Sequence, residues 1–213
     1  MIWVLVVLVA LSQIYAVFVV PPVKWFGPNG QELGFVQKIF YVHVPSSWAG
    51  FLGMVLSALF GLLYIYKRDL KYDRLSHSFM EVSTLFITLG LITGSLWAKP
   101  AWGTFWTWDP RLVSMAILWL LALGYMFFRS LVDDEDLRAR FSSILSLIIA
   151  INIPVVFLSI RLFRTLHPAV FKGLSTSETY GMDTEIFAGL MANLFTITLL
   201  MLYLSYKRYK KIY

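Results

Sequence analysis

The chain has 213 residues, 59% of them apolar and 14% charged, with a mean hydropathy of +0.72; soluble domains are nearer half apolar and a quarter charged, so this composition belongs in lipid. At about 20 residues per bilayer crossing there is room for six spans and roughly ninety residues of connection, which excludes a separate soluble catalytic domain. Cysteine is absent, which excludes disulfides, thiolate metal sites and thioether attachment of a prosthetic group, and the net charge of +6 needs a topological explanation before it is read as a partner signal.

The first apolar run, 2–20, reads as a retained helix and not as a signal peptide. No Lys or Arg precedes it, it is longer than a signal h-region, and no A-x-A type site follows. Further runs cover 48–66, 79–97, 112–128, 143–163 and 186–206, each long enough to cross the bilayer and none charged near its middle. The expectation is an all-α bundle of six transmembrane helices forming one integral membrane domain, 1–213.

An alternating path through six spans divides the cations unequally. Lys67, Arg68, Lys71, Arg74, Arg129, Arg138, Arg140, Lys207, Arg208, Lys210 and Lys211 fall on the side of both termini. Lys24, Lys38, Lys99, Arg111, Arg161, Arg164 and Lys172 fall on the other. The first set should face the cytoplasm, with the N- and C-termini inside. The positive charge is then used on lipid headgroups, so no nucleic-acid partner is inferred. The acidic run 133–136 reads as solvated, and no P-loop motif is present, so energy from ATP would have to come from a partner.

The outward connections, 21–47, 98–111 and 164–185, hold the uncommon residues. In the first, His43 stands just before the second span and is followed by Pro45. At the second, Trp97 ends the span before it and Trp102, Trp106 and Trp108 follow, four within twelve residues, with Gly103, Phe105 and Asp109 among them. An aromatic belt at the headgroups is one reading. If the segment is a short interfacial helix, Trp102, Trp106 and Asp109 share one face at i, i+4, i+7, and Gly103 admits a flat ligand or a partner backbone; an aromatic ligand platform is then the other reading. In the third connection, His167 follows the fifth span and precedes Pro168. A histidine at an interface is commonly a polar headgroup residue, but two on one side of the membrane beside a Trp-rich loop fit a pair of axial ligands to a haem iron. The haem propionates would call for cations, for which Arg111 and Arg164 are preferred, with Lys38, Lys99 and Arg161 on the same side. His77 reads as solvated in the basic inner connection. Within the spans, Asn152 and Pro154 suggest a kink, Asn193 a contact with another helix, and Gly50, Gly53, Ser57 and Gly61 a close-packed stripe facing either the bundle or a partner.

The string Trp102-Gly103-x-x-Trp106-x-Trp108-Asp109 resembles the tryptophan-rich "WWD" signature of bacterial haem-handling proteins of cytochrome c biogenesis. With His43 in HVPSSW and His167 in TLHP, the chain is similar over nearly its whole length to the cytochrome c maturation protein C, or haem exporter protein C, family. The resemblance implies a six-span inner-membrane protein that holds haem b transiently at the periplasmic face. It implies partners: a periplasmic haem chaperone (cytochrome c maturation protein E), the ATPase and membrane subunits of an ABC-type transporter (proteins A and B), and a small single-span subunit (protein D). Carried over by position, His43 and His167 would be axial ligands and Trp102, Gly103, Trp106, Trp108 and Asp109 the platform for haem and chaperone. Arg111 and Lys38 match positions where the family has important basic residues. Phe105 stands where many members have another Trp, and Lys38 where some have Arg, which loses the bidentate fork. A longer lyase of the other biogenesis route would carry further intramembrane histidines, a haem-b respiratory anchor would carry them within its helices, and a haem-free permease would leave the Trp loop unexplained.

Overall fold

The computed structural model describes residues 2–22, 33–167 and 184–212. Six α-helices follow one another: α1 (Ile2–Phe18), α2 (Phe40–Lys67, led in by the 3-10 turn Gly34–Ile39), α3 (Leu70–Trp102), α4 (Pro110–Leu131), α5 (Glu135–Leu162) and α6 (Thr184–Ile212). Among the described residues there is no strand, and the fold is an all-α membrane bundle. The helices from α2 to α6 are long and apolar enough to cross a bilayer, while α1 is a shorter apolar helix of 17 residues, about 25 Å at 1.5 Å per residue.

Local chemistry sets the ends. Asp69, Asp109 and Asp134 cap α3, α4 and α5, each accepting a backbone N–H of the first turn, which satisfies donors that the helix itself leaves open. Gly103 ends α3 with a φ of 82°, its N–H donating to the Lys99 carbonyl, a conformation that favours glycine. The helices from α2 to α6 all outrun their apolar cores, and at the end that matters for the site α2 starts eight residues before the expected 48 and α3 continues to Trp102 instead of 97. His43 is therefore a helical residue. Pro45 sits in the second turn of α2 and has no N–H for the Tyr41 carbonyl, one turn back. That carbonyl instead accepts from Gln13 Nε2 of α1, at 3.2 Å.

The middle of the bundle is α2, which packs on α1, α3, α5 and α6; α4 packs on α3 and α5. The small-residue stripe of α2 is spent inside the chain. A Cβ on Gly50 would meet Ile87 of α3, one on Gly53 would meet Ser83, and one on Gly61 would meet Ser146 of α5. Without a hydrophobic drive between helices in lipid, such close backbone approach is what dispersion and packing act through. Asn193 of α6 donates to the carbonyl of Ser12 on α1 at 3.2 Å, and Asn152 of α5 donates to that of Ser114 on α4 at 3.2 Å. At the end of the bundle where α3 starts and α4 ends, Asp73 and Arg129 form a bidentate pair at 2.6 and 2.9 Å with both side chains nearly buried; removing one partner of such a pair costs about 3–5 kcal/mol. His77 is not solvated as expected: its ring is half-buried on α3, 3.6 Å from Glu81 and 6.1 Å from the Tyr125 ring, because neighbouring helices cover what reads as a basic loop.

Candidate functional site

At the opposite end, where α2, α4 and α6 begin and α3 and α5 finish, the five helices splay around a cavity of about 550 Å³, in the range of small-molecule and cofactor sites. Its inner limit is formed by Phe51, Met115 and Val156, which belong to a packed core continuing through Met54, Ile87 and Leu118. His43, His167, Trp97, Trp102, Trp106 and Arg111 line its outer part.

The two imidazoles face one another with centroids 6.3 Å apart and planes inclined at 40°. His43 packs edge-on to Trp97 at 5.8 Å, and His167 edge-on to Trp102 at 6.5 Å. His43 Nδ1 lies 3.0 Å from the Gly90 carbonyl. A carbonyl only accepts, so in the neutral ring Nδ1 carries the proton and Nε2 keeps its lone pair. Thr93 Oγ1, 3.2 Å from the same nitrogen, already donates to the Leu89 carbonyl at 2.6 Å and so can accept as well. Room for the ring comes from glycine. A Cβ on Gly94 would stand 2.9 Å from His43 Cε1 and 3.3 Å from Nδ1, closer than such atoms pack. The Gly90-x-x-x-Gly94 spacing, one helical turn on α3, marks this notch in the sequence, where polar residues alone do not.

Arg111 stands in the first turn of α4, half-buried, with its guanidinium over the Phe157 ring at 5.7 Å. No carboxylate pairs with it among the described residues. It is a cation on an apolar wall, a place that suits an anionic group of a ligand.

Several expected members lie elsewhere. The segment 103–109 is not a helix: after Gly103 the chain bends, and Asp109 is extended before Pro110, as residues preceding proline are. Trp102 and Trp106 therefore reach the cavity from different elements, and not as two steps of one helical face. Trp108 is 85% exposed and meets Trp106 edge-on at 6.3 Å, outside the cavity lining. Gly103 is exposed, and its φ explains the residue without a ligand. Asp109 is not an open carboxylate at a platform's edge. It is 7% exposed and is taken up by the amide of Arg111 and by Thr165 and Leu166. Lys38 is also buried, its ammonium donating to the carbonyls of Ala16 at 3.0 Å and of Val20, where α1 ends, so it serves the end of α1 and not the cavity. Lys99 donates to the Gly103 carbonyl at 3.0 Å and covers the Phe105 ring at 5.4 Å. Arg164 is exposed and outside the lining. Lys24, Pro168 and Lys172 lie outside the described residues.

Among the described residues no three His, Cys, Asp or Glu side chains gather in a way that could hold a metal ion. What the cavity offers is two facing imidazoles, an aromatic and aliphatic wall, and one guanidinium. Fold and site together define a polytopic helical membrane protein with a histidine-paired, tryptophan-lined pocket at one end of its bundle. The family model described as Heme exporter protein C matches residues 1–212. The chain is 35% identical over 186 residues to "Heme exporter protein C" of Bradyrhizobium diazoefficiens, covering 85% of this chain and 69% of the relative. It is 31% identical over 191 residues to the protein of the same name from Escherichia coli strain K12, covering 88% and 74%. The chain belongs to the haem exporter protein C family.

Proposed function

We propose that this chain holds haem b, as transient cargo, in the cavity between His43 and His167 and presents it at the periplasmic face for attachment to a haem chaperone in cytochrome c maturation. The observation that carries the reading is the separation of the two rings. Imidazoles on opposite sides of one metal ion, with metal–nitrogen bonds of about 2 Å, place their centroids roughly 6 Å apart, against 6.3 Å here. Two ligands suffice for an iron whose other four positions the porphyrin itself fills. The Nδ1–H of His43 on the Gly90 carbonyl is the outer-shell bond that a metal-binding imidazole ordinarily makes, leaving Nε2 for iron. Trp97, Trp102 and Trp106 supply flat apolar surface, Arg111 a partner for a propionate, and the exposed Trp108, Phe105 and Gly103 a surface for the chaperone. Arg164, exposed and outside the lining, is kept as the partner of a second propionate only where that group reaches beyond the cavity. Lys38 has a different role, holding the end of α1.

Both paired histidines sit at one end of the bundle, and the third, His77, is at the other beside Glu81, which fits presentation at one face better than electron transfer through the bilayer. The expected partners are the chaperone, the two ABC-type transporter subunits that supply ATP hydrolysis, and the small single-span subunit. The cation distribution supports a cytoplasmic position for both termini. The test is made in cells lacking their own copy of the family member. The wild-type chain should restore covalent haem on the chaperone, read by haem stain after denaturing electrophoresis, and the double variant His43→Ala/His167→Ala should not. An undiminished adduct with the double variant would overturn the proposal.

A further inference from the structure

His167 lies on a segment outside the described helices. The chain leaves α5 at Leu162, Phe163, Arg164 and Leu166 are exposed, and His167 comes five residues after the helix. What holds the segment from the other side is Asp109. Its Oδ1 accepts from the Arg111 amide at 2.9 Å and from Thr165 Oγ1 at 2.9 Å, and its Oδ2 accepts from the Leu166 amide at 2.7 Å. The His167 amide in turn donates to Thr165 Oγ1 at 3.0 Å. The bond to Arg111 is an ordinary helix cap, which Asn or Ser would also make. The other two cross from the α3–α4 connection to the segment after α5, and together they occupy both oxygens of a buried carboxylate. Hydrogen bonds to a charged acceptor are the stronger kind, and a negative charge at the start of α4 is favoured by the helix dipole.

We infer that Asp109 is a positioning residue: its carboxylate sets where His167 stands opposite His43, and ties that position to Arg111 and the tryptophan connection. The inference rests on the reading of both histidines as iron ligands. It also accounts for Asp in place of Asn at this cap. An Asn amide can cap α4 with its oxygen, but its NH₂ then faces the Leu166 N–H, donor against donor.

Asp109→Asn and Thr165→Val test it by two readouts on the purified full-length protein in nanodiscs. Without haem, exchange of the Leu166 and His167 amides should quicken by about 10–100-fold in Asp109→Asn, and that of His167 in Thr165→Val, with the thermal unfolding curve kept. With haem added, the wild type should give a six-coordinate low-spin spectrum. Both variants should keep haem through His43 but show a high-spin share that added imidazole converts back, as His167→Gly should also do. Unchanged exchange, or fast exchange with a wild-type haem spectrum, overturns the inference. A wild-type spectrum that His167→Gly does not alter overturns the ligand reading and the inference with it; exchange that is quickened all the same distinguishes that failure from failure of the tether.

Discussion

Replacing Gly94 by leucine should lower haem retention by about 10–100-fold, the usual cost of disturbing the outer-shell support of a metal ligand, while the bundle stays folded. His43 is pressed against α3 by its bond to the Gly90 carbonyl, and the missing side chain at Gly94 is what lets the ring lie there. A Cβ would stand 2.9 Å from Cε1, so even alanine must rotate or push the imidazole, and leucine extends the clash into the cavity. Alanine should therefore give the smaller loss of the two. Gly124→Ala on α4 is the control: nothing stands within 4 Å of its added Cβ, and alanine is favoured over glycine in a helix by about 1 kcal/mol. Haem titration of each variant by absorption gives the ratios. Retention by Gly94→Leu equal to the wild type would mean that the ring held in this notch is not a ligand.

Arg111→Gln should raise the haem dissociation constant by roughly 10–100-fold, since hydrogen bonds to a charged partner contribute about 1.5–3 kcal/mol. The substitution keeps the Arg111 amide on Asp109 and the cap of α4, because that bond is made by backbone. The loss would then come from the guanidinium, which lines the cavity over the Phe157 ring and forms no ion pair among the described residues, Asp109 acting on it only as a nearby charge. Haem dimethyl ester separates a propionate contact from a general effect of charge. The ester should bind wild type and Arg111→Gln alike, and a persisting gap between them would assign Arg111 some other role. Lysine should restore part of the affinity, as a point charge without the fork.

Much of this frame is legible in the residues. Apolar runs of about 20 residues mark the helices from α2 to α6, and the alternation they impose brings His43, His167, Arg111 and the tryptophans to one end. The boundaries are not, for reasons of tertiary chemistry. Pro45 reads as the limit of a helix, yet the carbonyl it frees is satisfied by Gln13 from α1, a partner that no local pattern contains. Lys38 reads as a cation near a ligand, yet the end of α1 claims it. The connection after α3 is the opposite case. Gly103 and the pair Asp109-Pro110 are stop and start signals, and they outweigh the i, i+4, i+7 spacing that suggests a helix. Asp109 combines both lessons: its cap is readable from sequence, while its grip on Thr165 and Leu166 depends on a segment more than fifty residues away.

The most direct test is a structure of the protein loaded with haem. Iron should lie about 2 Å from His43 Nε2 and from a ring nitrogen of His167, with Nδ1 of His43 still on the Gly90 carbonyl. Haem bound with both imidazoles beyond bonding distance of the iron would contradict this ligand assignment.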